Sequence, residues 1–276
     1  MKKFFMAVIA IMMTVSVSAQ FYIYLSNGEV LQADSISTVA PTPGMLSGEF
    51  SVSDTKKVHF SKGNLQYVGT WQFAENQWDY FGNSQSDDHR DLFGWGTGNN
   101  PNNVSTDNND YATYVEWGNN PISNGGNKAN MWHTLDKDEW VYLFQTRTDA
   151  SDKYGAAKVN GITGVVLLPD NWTLPSGCGF TAGMTSASSG ADWSLVASTN
   201  IYEGQAWDDM EKAGAVFLPA AGYRGGTDVN NVGSGGYYWS ATPYDTNKAY
   251  FRYFDSNFRT HAYNNRYNGR SVRLVR

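Results

Sequence analysis

The sequence predicts an α+β fold in which two helices pack on short antiparallel strands and long irregular loops join them. The first observation is a pair of helical segments, one beginning at Asp136 and one covering residues 204–213. The second is a set of short apolar runs, two of them ended by proline, which is typical of strands. The third is the content of 28 glycines, which indicates a loop-rich domain.

Each predicted helix has a recognisable end. Asp136 occupies an N-cap position and Glu139 follows three residues later, so the two residues can form a capping box. The second helix is expected to stop at Gly214, a glycine at the C′ position. The residues predicted to face the core at helical spacing are Trp140, Val141, Leu143 and Phe144 in the first helix and Ala206, Trp207 and Met210 in the second.

Short strands are predicted along the rest of the main domain. Residues 164–169 and 215–219 share one pattern, an apolar run that ends in proline. After Gly235 the chain turns to short antiparallel strands. The other predicted strands are at residues 58–60, 65–67, 237–241, 249–254 and 271–275.

The N-terminal segment has the features of a secretory signal. Lys2 and Lys3 precede an apolar run that is too short to anchor the chain in a bilayer, and small residues follow at 17–19. We therefore expect a chain that is secreted or held at the cell surface, without a transmembrane segment after cleavage. The predicted organisation is a signal peptide at 1–19, a small β-hairpin at 20–39, a linker at 40–48 and one large domain at 49–276.

Composition and charge exclude some classes of partner and chemistry. The formal net charge is −6 and no long run of like charges occurs, which argues against a nucleic-acid partner. Cys178 is the only cysteine, so the chain can form no intramolecular disulfide and carry out no paired-thiol chemistry. Residues 82–130 are rich in Asn, Asp and Gly, and we expect a long surface excursion there that is pinned by aromatic side chains.

No metal, cofactor or catalytic site is predicted. The four histidines are not spaced like zinc ligands. Asp87, Asp88 and Asp91, and also residues 107–110, could offer oxygen ligands to a hard cation, but their spacing favours ordinary solvated loops. Carboxylate pairs that meet only in space stay open, although nothing in the sequence indicates a particular pair.

The C-terminal segment 244–276 differs in composition from the rest of the chain. It contains six arginines and Lys248 against Asp245 and Asp255, together with eight Tyr or Phe residues and five Asn. Tyrosine and arginine are frequent in binding hot spots because each offers a large contact area and a directional polar group. Asparagine adds adaptable hydrogen bonds. The segment is therefore predicted to form a ligand-binding face, and the competing interpretation is that its aromatics are ordinary core.

Several motifs carry a resemblance to a known family. The runs 140–147, 168–172, 217–224 and 235–276 resemble the C-type-lectin-like domains of gut Bacteroidetes, in the branch of the formylglycine-generating enzymes. The ending, from residues 236–241 through 269–275, also resembles the target proteins of diversity-generating retroelements. The resemblance implies a C-type-lectin-like fold for residues 49–276 and a binding role for a C-terminal segment that is diversified at adenine-bearing codons.

Departures from the family pattern remove two of its activities. Oxidases of the formylglycine-generating type need paired cysteines, and this chain has Cys178 alone. The motifs with which sugar-binding members hold calcium are absent, and Ser240 and Ala241 follow Trp239. We therefore expect neither oxidase activity nor calcium-dependent sugar binding in the usual loop.

The resemblance and strand alternation together select the candidate site residues. In the strand 249–255, Tyr250, Arg252 and Phe254 are expected to face inward and the alternate positions outward. The irregular run 256–268 is expected at the surface, and Arg266, Arg270 and Arg273 are expected to be structural. The predicted ligand-binding residues are Tyr244, Asn247, Phe251, Tyr253, Asp255, Asn257, Phe258, Thr260, His261, Tyr263, Asn264, Asn265 and Asn268.

The expected function is the binding of an extracellular protein or glycan without catalysis. Two alternatives belong to other classes. The chain could be a structural subunit of a cell-surface assembly, joined through the N-terminal hairpin. It could also be an enzyme with an unrecognised carboxylate site in the excursion at 82–130.

Overall fold

The computed structural model describes residues 21–24, 30–33, 42–183, 199–255 and 259–276, with the backbone alone for residues 21–24, 30–33 and 259–261. The chain divides into two compact units, residues 1–41 and 42–276. The predicted signal peptide at 1–19 lies outside the described residues. Residues 42–48 belong to the larger unit, where Leu46 is buried.

The smaller unit contains the predicted hairpin strands. Strand β1 (Phe21–Tyr24) pairs antiparallel with β2 (Val30–Ala33), with Phe21 opposite Ala33 and Tyr24 opposite Val30. The proposed turn residues Asn27 and Gly28 lie outside the described residues.

The larger unit is built from many short strands and a few short helical segments. Its strands are β3 (Phe50–Ser51), β4 (Lys57–Val58), β5 (Leu65–Tyr67), β6 (Trp71–Phe73), β7 (His133–Thr134), β8 (Tyr154–Val159), β9 (Ile162–Leu167), β10 (Ile201–Tyr202), β11 (Val216–Pro219), β12 (Tyr223–Gly225), β13 (Asp228–Asn230), β14 (Gly236–Pro243), β15 (Lys248–Phe254), β16 (Arg259–Asn265) and β17 (Leu274–Val275). The α-helices in its described part are α1 (Lys137–Val141) and α2 (Gln205–Lys212). Single turns of other helix types cover Gly82–Ser84, Asn108–Tyr111, Trp117–Asn119, Tyr142–Thr146 and Ala150–Asp152.

The predicted α+β class, with two helices on an antiparallel sheet, is wrong, because the described chain is β-rich. Its strands form several separate sheets, of which the largest has four strands in the order β10-β8-β9-β11 and the next has three in the order β14-β15-β16. The helices do not form one layer. Helix α1 contacts β14–β16, whereas Trp207 of α2 packs on Phe217 of the four-stranded sheet. That sheet is mixed, since β10 and β8 are parallel.

The local signals at the helix ends are confirmed. The Asp136 carboxylate accepts the backbone N–H of Glu139 at 2.7 Å, and the Glu139 carboxylate accepts that of Asp136 at 2.9 Å. The first helix nevertheless continues as a π-helical turn after five α-helical residues. Gly214 follows α2 with φ +101°, a conformation that glycine adopts without strain. Trp207 and Met210 are buried as expected.

Three groups of buried apolar side chains hold the larger unit together. The first core contains Phe50, Phe60, Trp140, Phe144, Tyr238 and Phe254 among others. The second core contains Trp71, Phe73, Phe93, Trp95, Trp117, Trp132, Trp239 and Phe251 among others. The third core contains Val166, Tyr202, Trp207 and Phe217 among others. The β14–β16 sheet lies between the first two cores, because Tyr238 and Trp239 are neighbours on one strand and face opposite sides.

The sequence predicted one connecting segment correctly and another wrongly. Phe93, Trp95 and Trp117 of the excursion 82–130 are buried in the second core, as expected for aromatic pins. The prediction that residues 256–268 are irregular is wrong, because Arg259–Asn265 form β16. This strand is polar and pairs with β15, so its extended form depends on a partner strand, which its own composition does not reveal.

Among the described helices, none combines the length and the apolar character needed to cross a bilayer.

Candidate ligand-binding site

The structure divides the predicted site residues between the two faces of the β14–β16 sheet. Tyr250 and Phe251 are consecutive on β15, so their side chains point to opposite faces. Tyr250 is opposite Tyr263 on β16, and Phe251 is opposite Ala262. Tyr263 therefore shares a face with Tyr250, and Phe251 belongs to the other face.

The first group is a tyrosine cluster, which consists of Tyr244, Tyr250 and Tyr263. The rings of Tyr244 and Tyr263 stack face to face, with centroids 3.6 Å apart and planes 3° apart. Tyr250 meets both rings edge-on, at 5.3 Å from Tyr244 and 5.9 Å from Tyr263. Tyr244 and Tyr263 are 43% and 46% exposed. Two large rings are thus fixed in orientation while much of their surface faces solvent.

Cationic side chains flank the tyrosine cluster. The Lys248 ammonium lies 5.8 Å from the centroid of the Tyr263 ring, and the Lys137 ammonium lies 5.5 Å from that of Tyr250. A cation over the face of an aromatic ring is attracted by the ring's electron density. A hydrogen bond with the Tyr263 side chain raises the pKa of Tyr244 above its ordinary value. The cluster is therefore amphipathic, with apolar rings and polar groups at its edge.

An open cleft of about 530 Å³ borders the tyrosine cluster. Tyr244 forms part of its wall and Asp245 and Thr246 bring polar groups to it. Its other lining residues are Ala112, Pro243 and Arg266. Ala112 comes from the excursion 82–130, so this long segment contributes to the same surface as the end of β14.

A tight turn fixes Asp245 at the cleft. One carboxylate oxygen, Oδ1, accepts the backbone N–H groups of Asn247 at 2.8 Å and Lys248 at 2.7 Å. These bonds, led by that from Asn247, lower the pKa of Asp245 despite an opposing contribution from desolvation. The carboxylate is therefore ionised across the neutral range and held in one orientation. Asn247 itself is exposed at the tip of the turn.

Arg266 lines the cleft and connects the chain segments around it. Its guanidinium lies 4.4 Å from the centroid of the Trp95 ring. It donates to the backbone carbonyls of Tyr111, Ala112, Asp245 and Lys248. Because these bonds tie the excursion to the loop between β14 and β15, Arg266 is a structural residue, as predicted.

The second group is an arginine cluster, which consists of Arg270 and the rings of Tyr223, Tyr237, Trp239 and Phe251. The guanidinium carbon of Arg270 lies 3.5 Å from the centroid of Phe251 and 4.9 Å from that of Trp239. Arg270 is 2% exposed, and its Nε and Nη1 atoms have no hydrogen-bond partner among the residues that the structure describes. Burial lowers the pKa of Arg270 to about 9. Contacts with aromatic rings take the place of an ion pair here.

Tyr253 and Asp255 lie at the edge of the arginine cluster. The Tyr253 ring is 4.8 Å from that of Tyr237, and its hydroxyl donates a hydrogen bond to the Asp255 carboxylate. Burial and this bond raise the pKa of Tyr253. Both side chains are partly buried, so they offer less surface to a ligand than Tyr244 and Tyr263 do.

The expected surface positions of Phe251 and Asn268 are wrong. Phe251 is 5% exposed because it packs between Trp239 and the Arg270 guanidinium. Asn268 is 7% exposed and its backbone N–H bonds the carbonyl of Asn265. Strand alternation correctly predicted that Arg252 and Phe254 face inward, since both are fully buried.

The remaining predicted residues are distributed along β16 and its flanks. Asn264 is exposed, and Asn265 donates to the Tyr267 hydroxyl at 2.9 Å. Thr260 and His261 lie in β16, and only their backbone is described. Asn257 and Phe258 lie outside the described residues.

The sequence did not single out several residues of this surface. Tyr250 was expected to face inward with Arg252, and it is only partly buried on that face. Lys137 and Ala112 come from distant segments, so local sequence offers no signal for them. Asp245 precedes Thr246 and Asn247 in a polar run. That run predicts a turn, and this was the signal in the sequence for where Asp245 lies.

No group of three or more His, Cys, Asp or Glu side chains is placed to hold a metal ion within the described ranges. Asp91, one of the carboxylates considered for a cation, is instead buried beside the Phe81 backbone N–H and the Gln85 side chain.

Comparison with known proteins gives one match. A family model described as a domain of unknown function (DUF8237) matches residues 184–275, a stretch that contains the tyrosine cluster, the arginine cluster and most of the cleft. No curated protein and no solved structure matches the chain. The resemblance to C-type-lectin-like and retroelement target proteins therefore stays a prediction.

Proposed function

We propose that this chain is an exported binding protein whose tyrosine cluster and adjoining cleft hold an extracellular protein or glycan. The observation that carries the proposal is the stacked pair Tyr244 and Tyr263, fixed in orientation and nearly half exposed. A rigid, amphipathic ring pair loses little conformational entropy on binding, which is why tyrosine is frequent in binding surfaces. The sequence features of a secretory signal support the extracellular location.

The proposed ligand face is smaller than the one predicted from sequence. It comprises Tyr244, Tyr250 and Tyr263 with the turn around Asp245, and it excludes Phe251. The C-terminal resemblance to retroelement targets supports diversification of this segment. A nearby near-copy of its coding DNA, differing only at adenines and accompanied by a reverse transcriptase gene, is expected. A flanking locus with neither would contradict diversification without affecting the binding role.

The binding role is tested with the double substitution Tyr244→Ala and Tyr263→Ala. Wild-type protein is screened on arrays of glycans and of purified extracellular proteins, and the double variant is expected to lose its ligand. Tyr142→Ala is the matched control, because Tyr142 is a partly exposed tyrosine whose hydroxyl bonds Asp54 outside the cluster. A ligand that the double variant binds as tightly as wild type would place the site elsewhere.

A further inference from the structure

The stacked pair in the tyrosine cluster has a geometry that suits a covalent reaction between its two rings. The ring centroids of Tyr244 and Tyr263 are 3.6 Å apart and the ring planes differ by 3°. Aromatic pairs usually prefer an offset or edge-to-face arrangement, with centroids about 4.5–7 Å apart. The two phenol rings are therefore closer and more nearly superposed than ordinary aromatic packing requires.

The two hydroxyls lie at the same end of the stack. A hydrogen bond joins the side chains of Tyr244 and Tyr263, and the hydroxyl is the hydrogen-bonding group of a tyrosine side chain. Because the planes are also nearly parallel, the ring carbons beside one hydroxyl face those beside the other. These Cε carbons carry much of the unpaired electron when a phenol loses one electron and one proton. The stack thus places the reactive carbons of two phenols opposite each other.

An oxidant in solution can reach this pair, because Tyr244 and Tyr263 are 43% and 46% exposed. The rings of Tyr237 and Tyr253 form another close pair, with centroids 4.8 Å apart and planes tilted by 31°. Tyr237 is only 8% exposed, and its hydroxyl accepts a hydrogen bond from Asn231. In the described part of the chain, face-to-face contact and exposure of both rings therefore coincide at Tyr244 and Tyr263.

We propose that Tyr244 and Tyr263 are an oxidative modification site, at which peroxide and a one-electron oxidising catalyst join the two rings into a dityrosine crosslink. Each phenol gives up one electron and its hydroxyl proton, and the two tyrosyl radicals form a bond between one Cε carbon of each ring. The hydrogen on each bonded carbon then moves to the ring oxygen as a proton, which restores both aromatic rings and both hydroxyls. The two electrons and two protons that were released reduce one hydrogen peroxide molecule to two water molecules.

The crosslink joins two segments that noncovalent contacts already hold together. Tyr244 directly follows β14, and Tyr263 lies on β16, on the other side of β15. A chain whose one cysteine is Cys178 can form no internal disulfide to do this. A covalent link between segments distant in sequence restricts the unfolded chain, as a disulfide does, and so stabilises the fold. The reaction needs only the two rings and an oxidant, so it is independent of the proposed ligand.

The test treats the full-length chain, at low concentration, with hydrogen peroxide and a haem peroxidase. The monomer band of a denaturing gel is then digested with trypsin and analysed by mass spectrometry. Trypsin releases Tyr244 in the peptide 225–248 and Tyr263 in the peptide 260–266. The expected product combines these two peptides with the loss of two hydrogen atoms and shows dityrosine fluorescence. Tyr244→Phe and Tyr263→Phe each keep the stacked ring but lack the phenol, so each is expected to abolish this product.

Two further variants are the matched controls. Tyr142→Phe changes a partly exposed tyrosine outside the cluster, and Tyr253→Phe removes a phenol from the other close pair. Both are expected to give as much crosslinked peptide as wild type. Absence of the combined peptide from the wild-type monomer, or an equal yield from Tyr244→Phe, would overturn the proposed site.

Urea unfolding tests the effect of the crosslink on stability. The oxidised wild-type monomer is compared with Tyr244→Phe after the same treatment, which corrects for oxidation at other residues. The crosslinked chain is expected to unfold at a higher urea concentration, and equal midpoints would overturn the stabilising role. Failure of the crosslink would leave the binding function standing, since that function is tested by the ligand arrays on protein that has not been oxidised.

Discussion

The two faces of the β14–β16 sheet use similar residues in different ways. The tyrosine cluster combines three tyrosines with Lys137 and Lys248, and the arginine cluster combines aromatic rings with Arg270. In the tyrosine cluster the rings of Tyr244 and Tyr263 are nearly half exposed, whereas Phe251 in the arginine cluster is 5% exposed. Enrichment in aromatic and cationic residues therefore identifies neither a binding face nor a core. Exposure of the individual rings distinguishes the two.

The largest expected effect tests the arginine cluster. Phe251→Ala is expected to lower the free energy of unfolding by about 3–5 kcal/mol, because it opens a cavity in the second core and removes the ring under Arg270. Tyr263→Ala, the exposed counterpart, is expected to cost about 1 kcal/mol or less. Urea unfolding measures both. Equal losses in the two variants would contradict the expected difference in burial between the two clusters.

The next effect concerns pH and Asp91, close to Phe93 of the second core. Burial raises the pKa of Asp91 to about 6. The folded state therefore holds this proton more tightly than the unfolded state does. The contribution of protonated Asp91 to the free energy of unfolding is fully present below about pH 4. It is lost as the pH rises through about 6, and the total loss is about 3 kcal/mol.

The measurement compares wild type with Asp91→Asn by urea unfolding at pH 4, 5, 6 and 7. The variant loses one acceptor for the Phe81 N–H or the Gln85 amide, so it is less stable at pH 4. The gap between the two proteins is expected to narrow as the pH rises. A constant gap would show that Asp91 titrates normally.

The smallest effect concerns Arg270 itself. Arg270→Met is expected to change the free energy of unfolding by less than about 1 kcal/mol. Loss of the contacts between the guanidinium and the rings is offset, because two buried nitrogen atoms that lack partners in the described part of the chain are removed. The methionine side chain can keep the packing on Phe251. A loss of several kcal/mol in the same urea experiment would show that the charge itself holds the arginine cluster together.

Local signals in the sequence predicted local structure well. The capping box of Asp136 and Glu139, the glycine after α2 and the pairing of β14 with β15 all depend on neighbouring residues or on short apolar runs. The fold class was wrong because the described chain forms many short strands in several separate sheets, on which the two helices pack separately. That outcome depends on how distant segments meet, which periodicity does not encode.

The candidate site was predicted in part for the same reason. Tyr244 and Tyr263 were selected by composition and position, and the structure brings them together. Alternation separated the faces of β15 correctly, but it could not show that the second core covers Phe251. Nor could it show that Tyr250 lies at the end of the buried face, or that Ala112 of the excursion lines the cleft.

The enclosure of the β14–β16 sheet by two cores has a consequence for how this surface can change over generations. A slip of β15 by one residue would carry Arg252 and Phe254 into the second core and Phe251 into the first, so the register is strongly specified. Mutations at Tyr244, Thr246 or Tyr263 leave that register untouched. Substitutions at these positions are therefore expected to carry little risk to folding, because the sheet beneath them is held by both cores.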